Sequence, residues 1–205
     1  MDTACYFPSK GAIISRDGKT IVPMTELYFS SSQNPPRWLV VMGVSGCGKS
    51  SLGAALAREL GLPLIEGDDF HPPENVSKMR AGIALTDADR AGWLETLAGA
   101  LAAHPQGAVL SCSALKRGYR ERLRAAVPEL RFVFMELSRE EAERRVAGRG
   151  GHFFSATLVA DQFATLESPV GEAGVLAVDA TAPPAEQVSR ARAWLEQEAA
   201  AGPAP

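Results

Sequence analysis

Eight consecutive residues of the 205-residue chain, Gly43-Val44-Ser45-Gly46-Cys47-Gly48-Lys49-Ser50, fit the pattern G-x-x-x-x-G-K-[ST] in full. The chemistry open to such a run is specific. Its glycines allow the dihedrals that turn successive N–H groups inward around phosphate oxygens, and the start of the following helix adds partial positive charge. Lys49 is placed to reach the β- and γ-phosphates of ATP or a similar triphosphate, and the Ser50 hydroxyl to ligate Mg²⁺. Ser51 closes the nucleotide-binding run. Cys47 lies near a helix start and a lysine, a setting that can activate a thiol. The simpler reading is a small residue that fits the loop.

A second group, Glu66-Gly67-Asp68-Asp69-Phe70-His71-Pro72, follows a short apolar run. Carboxylates at the C-terminal end of a strand beside such a loop face the crevice where doubly wound sheets bind ligands. One of them can receive the proton of an acceptor hydroxyl while its neighbour orients metal-bound water. An Asx turn with capping carboxylates would use the same residues, and their types alone do not separate the two. The kind of nucleotide protein is better defined. A GTPase needs N-K-x-D, which Asn34 and Asn75 do not provide. A motor or transporter ATPase ends an apolar strand in Asp, and Ala108-Val109-Leu110-Ser111-Cys112-Ser113 does not. Small size and arginine-rich late helices leave a small-molecule kinase.

These residues must be held by an alternation of elements. Apolar runs predict strands at 38–42, 62–66, 108–112, 131–136 and 175–178. Helices are predicted at about 49–60, 74–81, 86–103, 116–126, 138–148, 155–167 and 184–199. Several carry end signals: Gly61 after the first, Pro128 after the fourth, Ser138 before Glu140-Glu141, and Pro183-Pro184 opening the last. Five short strands alternating with helices predict an α/β domain, a parallel sheet covered on both faces. It spans 37–200 and is followed by a tail at 201–205. Residues 1–36 read as a leader, flexible or a marginal hairpin about Asp17-Gly18, ending in the breaker-rich Ser30–Pro36. Met24 offers a second start, which would leave 1–23 outside the functional chain.

Composition closes off other classes. With 21 basic and 24 acidic residues the formal charge is −3, without the basic excess that gripping nucleic acid requires. No apolar run approaches the roughly 18 residues of a membrane span. The three cysteines form no CxxC, and no secretory pattern opens the chain, so a reduced, cytoplasmic setting is expected.

The order and spacing of many segments resemble the P-loop gluconokinase family of thermoresistant and thermosensitive type. The resemblance covers about residues 37–200. It rests on the Gly43–Ser50 loop, Glu66-Gly67-Asp68 with His71-Pro72, and Asn75 through Lys78-Met79 to Gly82. It continues through Leu85-Thr86-Asp87 with Asp89-Arg90 and Trp93-Leu94, then Cys112-Ser113-Ala114-Leu115-Lys116 with Tyr119-Arg120. Arg145 and Arg149 with Gly151-His152-Phe153-Phe154, and Gln162-Phe163 through Leu166-Glu167, complete it. The family often has Asp at Glu66 and a residue such as Ser at Cys47; neither departure removes a required chemical group.

The resemblance implies a three-layer P-loop kinase fold, with strand order 2-3-1-4-5 and a small lid near 149–156. It implies ATP and Mg²⁺ as cofactors and transfer of a phosphoryl group to the 6-hydroxyl of D-gluconate. It also points to a homodimer. Ser50 and Glu66 become the metal residues, and Lys49, Asp68, Arg145 and Arg149 the catalytic ones, with Asp68 as base and the two arginines on the transferring group. Candidates for the acceptor are Asp68, His71, Lys78, Ser113, Lys116, Arg120, His152 and Gln162, with Arg80 a further possible cation. Lys116 also stands out by itself, because it opens a helix where an acidic residue is favoured. Thr181–Pro184 would lie where related kinases hold adenine. The same fold acting on shikimate or a nucleoside monophosphate is the nearest alternative. An ATP-binding sensor is the other, although a sensor needs neither Asp68 nor the arginines.

Overall fold

The computed structural model describes residues 13–14, 20–21, 37–148 and 156–201. The chain divides into two units, Met1–Asn34 and Pro35–Pro205. In the first, Ile13 pairs with Ile21 and Ile14 with Thr20, antiparallel. Asp17 and Gly18 lie outside the described residues.

The second unit is built on five parallel strands: β1 (Arg37–Met42), β2 (Leu64–Glu66), β3 (Gly107–Ser111), β4 (Arg131–Glu136) and β5 (Val175–Asp179). Their order in the sheet is β2-β3-β1-β4-β5, the predicted 2-3-1-4-5. The helices are α1 (Lys49–Leu60), α2 (Pro73–Arg80), α3 (Asp87–Ala102), α4 (Arg117–Ala126), α5 (Arg139–Ala147), α6 (Ala156–Thr165) and α7 (Pro184–Ala201). Strand β2 starts two residues later than the apolar run suggests. Gly61 adopts a left-handed φ of 66°, and the Leu62 N–H donates to Ala57 O, so these residues finish α1 before the sheet begins.

Alternation along β1 explains the two cores. Leu39 and Val41 face one side, packing with Leu52 and Leu56 of α1 and Ala191 and Leu195 of α7. Val40 and Met42 face the other, with Trp93, Leu94 and Leu97 of α3 and Leu123 of α4. Both faces of a central strand are therefore buried, as a continuous apolar run in a parallel sheet requires. The register sets Val41 beside Ser111 and Glu66 beside Ser111. The phosphate loop, the Glu66–His71 segment and Ser113 consequently leave the same edge of the sheet. No described helix is long and apolar enough to cross a membrane.

Candidate active site

The phosphate loop joins β1 to α1, and its last glycine is the helix N-cap. Gly48 sits there at φ 99°, a left-handed conformation that a side chain would strain. Beneath the loop, Cys47 is almost fully buried, and burial pushes its thiol up against the opposing pull of Lys49. It packs as a small residue, not as a reactive one. Lys49 lies along the loop, its Nζ donating to Val44 O at 3.1 Å. The Gly43 N–H donates to Ser113 O at 3.3 Å, which ties the loop to the segment after β3. Ser51 is exposed on the first turn of α1 and does not line the pocket.

A pocket of about 590 Å³, open to solvent, lies against this loop. Its wall includes Ser45, Lys49, Asp68, His71, Ser113 and Gln162, all of them anticipated from sequence. Asp68 is carried by a single 3₁₀ turn, Gly67–Phe70, held close to β3. A Cβ on Gly67 would come within 2.6 Å of Ser111 O, and Gly67 O accepts from Trp93 Nε1 at 2.8 Å. Only glycine allows so close an approach. His71 stacks on Trp93 with ring centroids 4.3 Å apart. Its Nδ1 is buried without a hydrogen-bond partner, and burial lowers its pKa, keeping the ring neutral near pH 7.

Gln162, on α6, lines the pocket and also reaches the loop. Its Oε1 accepts the Ser45 N–H at 2.6 Å, so it engages the phosphate loop directly. Arg145 lies at the outer edge of that loop. Its Nε pairs with Glu141, and its Nη1 donates to Ala180 O at 3.1 Å and to Gly46 O at 3.5 Å. Arg149, His152 and the lid at 149–156 lie outside the described residues, apart from the start of α6. Thr181 donates to Asp179 Oδ1 through both its N–H and its hydroxyl, each at 2.7 Å, giving a fixed turn ahead of α7.

Three cations expected at the acceptor are committed elsewhere. Lys78 pairs with Asp89 at 2.6 Å, and Lys116 with Asp87 at 2.7 and 2.8 Å. Arg120 is fully buried: it pairs with Glu172 at 2.5 and 3.0 Å and donates to the carbonyls of Ala114, Leu115 and Glu167. None of the three lines the pocket. Arg120 instead fastens the segment after β3 to the segment after α6. That bracket holds Ala114, a non-glycine residue at φ 44°, in place behind Ser113.

Among the wall residues not anticipated in a ligand role is a cation, Arg90, on the first helical turn of α3. The signal was available, because the rule that singles out Lys116, a cation at a helix start, applies equally to Arg90.

Ser50 Oγ donates to Glu66 Oε2 at 3.0 Å. A hydroxyl and a carboxylate from adjacent elements fit a hard divalent cation such as Mg²⁺, which takes few protein oxygens and fills its shell with water and phosphate. Among the described residues no cluster of three His, Cys, Asp or Glu offers an all-protein metal cage.

Comparison with known proteins agrees with this geometry. The AAA domain family AAA_33 matches residues 39–169. A gluconokinase of Gluconobacter oxydans is 49% identical over 148 residues, 70% of this chain and 82% of that protein. The thermoresistant gluconokinase of Escherichia coli is 39% identical over 70% of this chain and 85% of its own length. The crystal structure of a gluconokinase from Sinorhizobium meliloti superposes with a TM-score of 0.74 at 49% identity, covering 79% of this chain and 93% of that one. A phosphate loop, an acid-bearing turn and a polar pocket at one sheet edge, together with this identity across most of each relative, establish that the chain belongs to the gluconokinase family.

Proposed function

We propose that this chain transfers the γ-phosphoryl group of ATP to the 6-hydroxyl of D-gluconate, giving 6-phospho-D-gluconate and ADP. The observation that carries this reading is the convergence of Lys49 and Asp68 on one pocket beside the phosphate loop. The loop N–H groups and Lys49 hold the β- and γ-phosphates and offset charge that builds on them during transfer. Asp68 accepts the proton of the 6-hydroxyl as its oxygen bonds to phosphorus and the bond from phosphorus to the β-phosphate oxygen breaks on the opposite side. Arg145, at the loop edge, adds positive charge near the phosphates, and the family resemblance gives Arg149 the same role. Ser50 and Glu66 would hold a magnesium ion, which would supply further charge neutralisation. A polar wall of Asp68, His71 and Ser113 suits an acyclic acceptor rich in hydroxyls.

We place the protein in the cytoplasm, in keeping with the free, buried thiols of Cys47 and Cys112. The homodimer implied by the resemblance is read by light scattering on the purified protein. The reaction is tested by coupled ADP release with Mg-ATP, comparing D-gluconate with shikimate, AMP, CMP and no acceptor. Stimulation by gluconate alone is expected. Stimulation by another acceptor alone, or ATP binding with no stimulation, overturns the reading.

A further inference from the structure

A carboxylate drawn into a pocket loses hydration, and a charge-assisted hydrogen bond is the usual compensation. Among the described residues two cations line the pocket, Lys49 and Arg90. Lys49 belongs to the phosphate loop. Lys78, Lys116 and Arg120 are paired with Asp89, Asp87 and Glu172, and Arg80 is exposed at the end of α2, off the pocket wall. Of the two described cations on the wall, Arg90 is the one with unused capacity. Its Nε is buried with no hydrogen-bond partner, and none of the described ion pairs includes it.

The setting of Arg90 makes that vacancy costly for the protein by itself. It is half-buried and occupies the first turn of α3, where the helix dipole opposes a cation. Two carboxylates share that turn, and both are taken. Asp89 closes a capping box with Thr86 and pairs with Lys78. Asp87 accepts from Lys116 and from the Tyr119 hydroxyl. Asn75 Nδ2 also donates to Asp89 O at 2.8 Å, so the turn carrying Arg90 is fixed from two sides. The Tyr119 ring lies 6.0 Å from the guanidinium, the outer limit of a cation–π contact and only weak compensation.

His71 brings a second unmet group to the same wall. Its Nδ1 is buried and unpartnered, and the ring is close enough to Asp68 and to Arg90 to feel both charges. An acceptor with an anion at one end and hydroxyls along its chain would satisfy Arg90 and His71 together, with another hydroxyl left for Asp68.

We propose that Arg90 binds the carboxylate of the acceptor and thereby makes the site select an aldonic acid over the neutral polyol of equal length. The inference rests on the gluconate-kinase reading given above, and the test separates the two. Turnover is measured for wild type, Arg90→Gln and Arg90→Lys with gluconate, and D-glucitol, which carries CH₂OH in place of the carboxylate, is titrated as competitor or slow acceptor. Wild type should bind D-glucitol about 10- to 100-fold more weakly than gluconate, the weight of one or two charge-assisted hydrogen bonds. In Arg90→Gln the KM for gluconate should rise by a similar factor, with the KM for ATP within about twofold and D-glucitol affinity unchanged. Arg90→Lys should recover part of the loss, because it restores charge without the planar fork.

Equal wild-type affinity for the two ligands overturns the proposal without any variant having to fold. So does an Arg90→Gln enzyme that loses gluconate and D-glucitol equally, or one that loses kcat at unchanged KM for gluconate. Wild type that releases no ADP with gluconate overturns the underlying reading instead, a result visible before any variant is assayed.

Discussion

Lys49 and Cys47 stand two residues apart in one loop and meet opposite fates. The lysine lies along the loop with its charge toward the pocket, while the thiol is sealed beneath the loop by burial. Between them Gly48 turns the backbone at φ 99° and Lys49 opens α1, so the two side chains leave different local structures. Replacing Lys49 by Ala removes a donor aimed at the transferring phosphates and nothing from either hydrophobic core. It should lower kcat by about 100-fold or more and leave the thermal midpoint within a few degrees of wild type. Steady-state kinetics paired with thermal unfolding reads both, and near-wild-type turnover would contradict the mechanism. His71, Asp68 and Ser113 were likewise readable as site residues, because each sits at or just beyond the C-terminal end of a recognisable strand. Arg120 was a candidate for the acceptor, and its pairing with Glu172 was not readable, since no spacing rule brings together residues 52 positions apart.

At the scale of elements, periodicity and end signals carried most of the fold. Gly61, Ser138 and Pro184 mark helix ends where the sequence places them, because capping depends on a few neighbouring dihedrals and hydrogen bonds. What the elements cannot show locally is how the loops between them are fastened. The Arg120–Glu172 pair ties the segment after β3 to the segment after α6, and Arg117 and Arg124 add to it at 3.4 Å each. Removing the carboxylate in Glu172→Ala leaves a fully buried guanidinium without its counter-ion, which should cost about 3 kcal/mol at pH 7. The pair also gives a pH dependence of definite sign. Hydrogen bonding to Arg120 holds the Glu172 carboxyl below its ordinary value of 4.5, so the unfolded state binds the proton more readily. This contribution is complete above pH 4.5 and is lost as the pH falls through the folded value. Denaturant titration of wild type and Glu172→Ala should show the gap at pH 7 and its narrowing toward pH 3; a constant gap would deny the linkage.

For the whole molecule, both core clusters, the phosphate loop and the pocket lie within Pro35–Pro205. A chain starting at Pro35 should therefore fold and keep its kcat for gluconate within about twofold, a margin set by burial and not by chain length. Loss of folding or turnover on that truncation would assign the leader a structural part. From sequence alone came the strand and helix alternation, the parallel sheet, the nucleotide loop and the acidic turn that follows β2. All of these are encoded by near neighbours, through side-chain period, backbone freedom at glycine and caps. Tertiary structure decided which of the many charged residues are available. Lys78, Lys116 and Arg120 look as suitable for an anion as Arg90 when read along the chain. Folding brings acids from other segments to the first three and buries the Nε of the fourth beside the pocket with no partner. Coulomb attraction acts through space, so the partners of a charge are fixed only when the elements have packed.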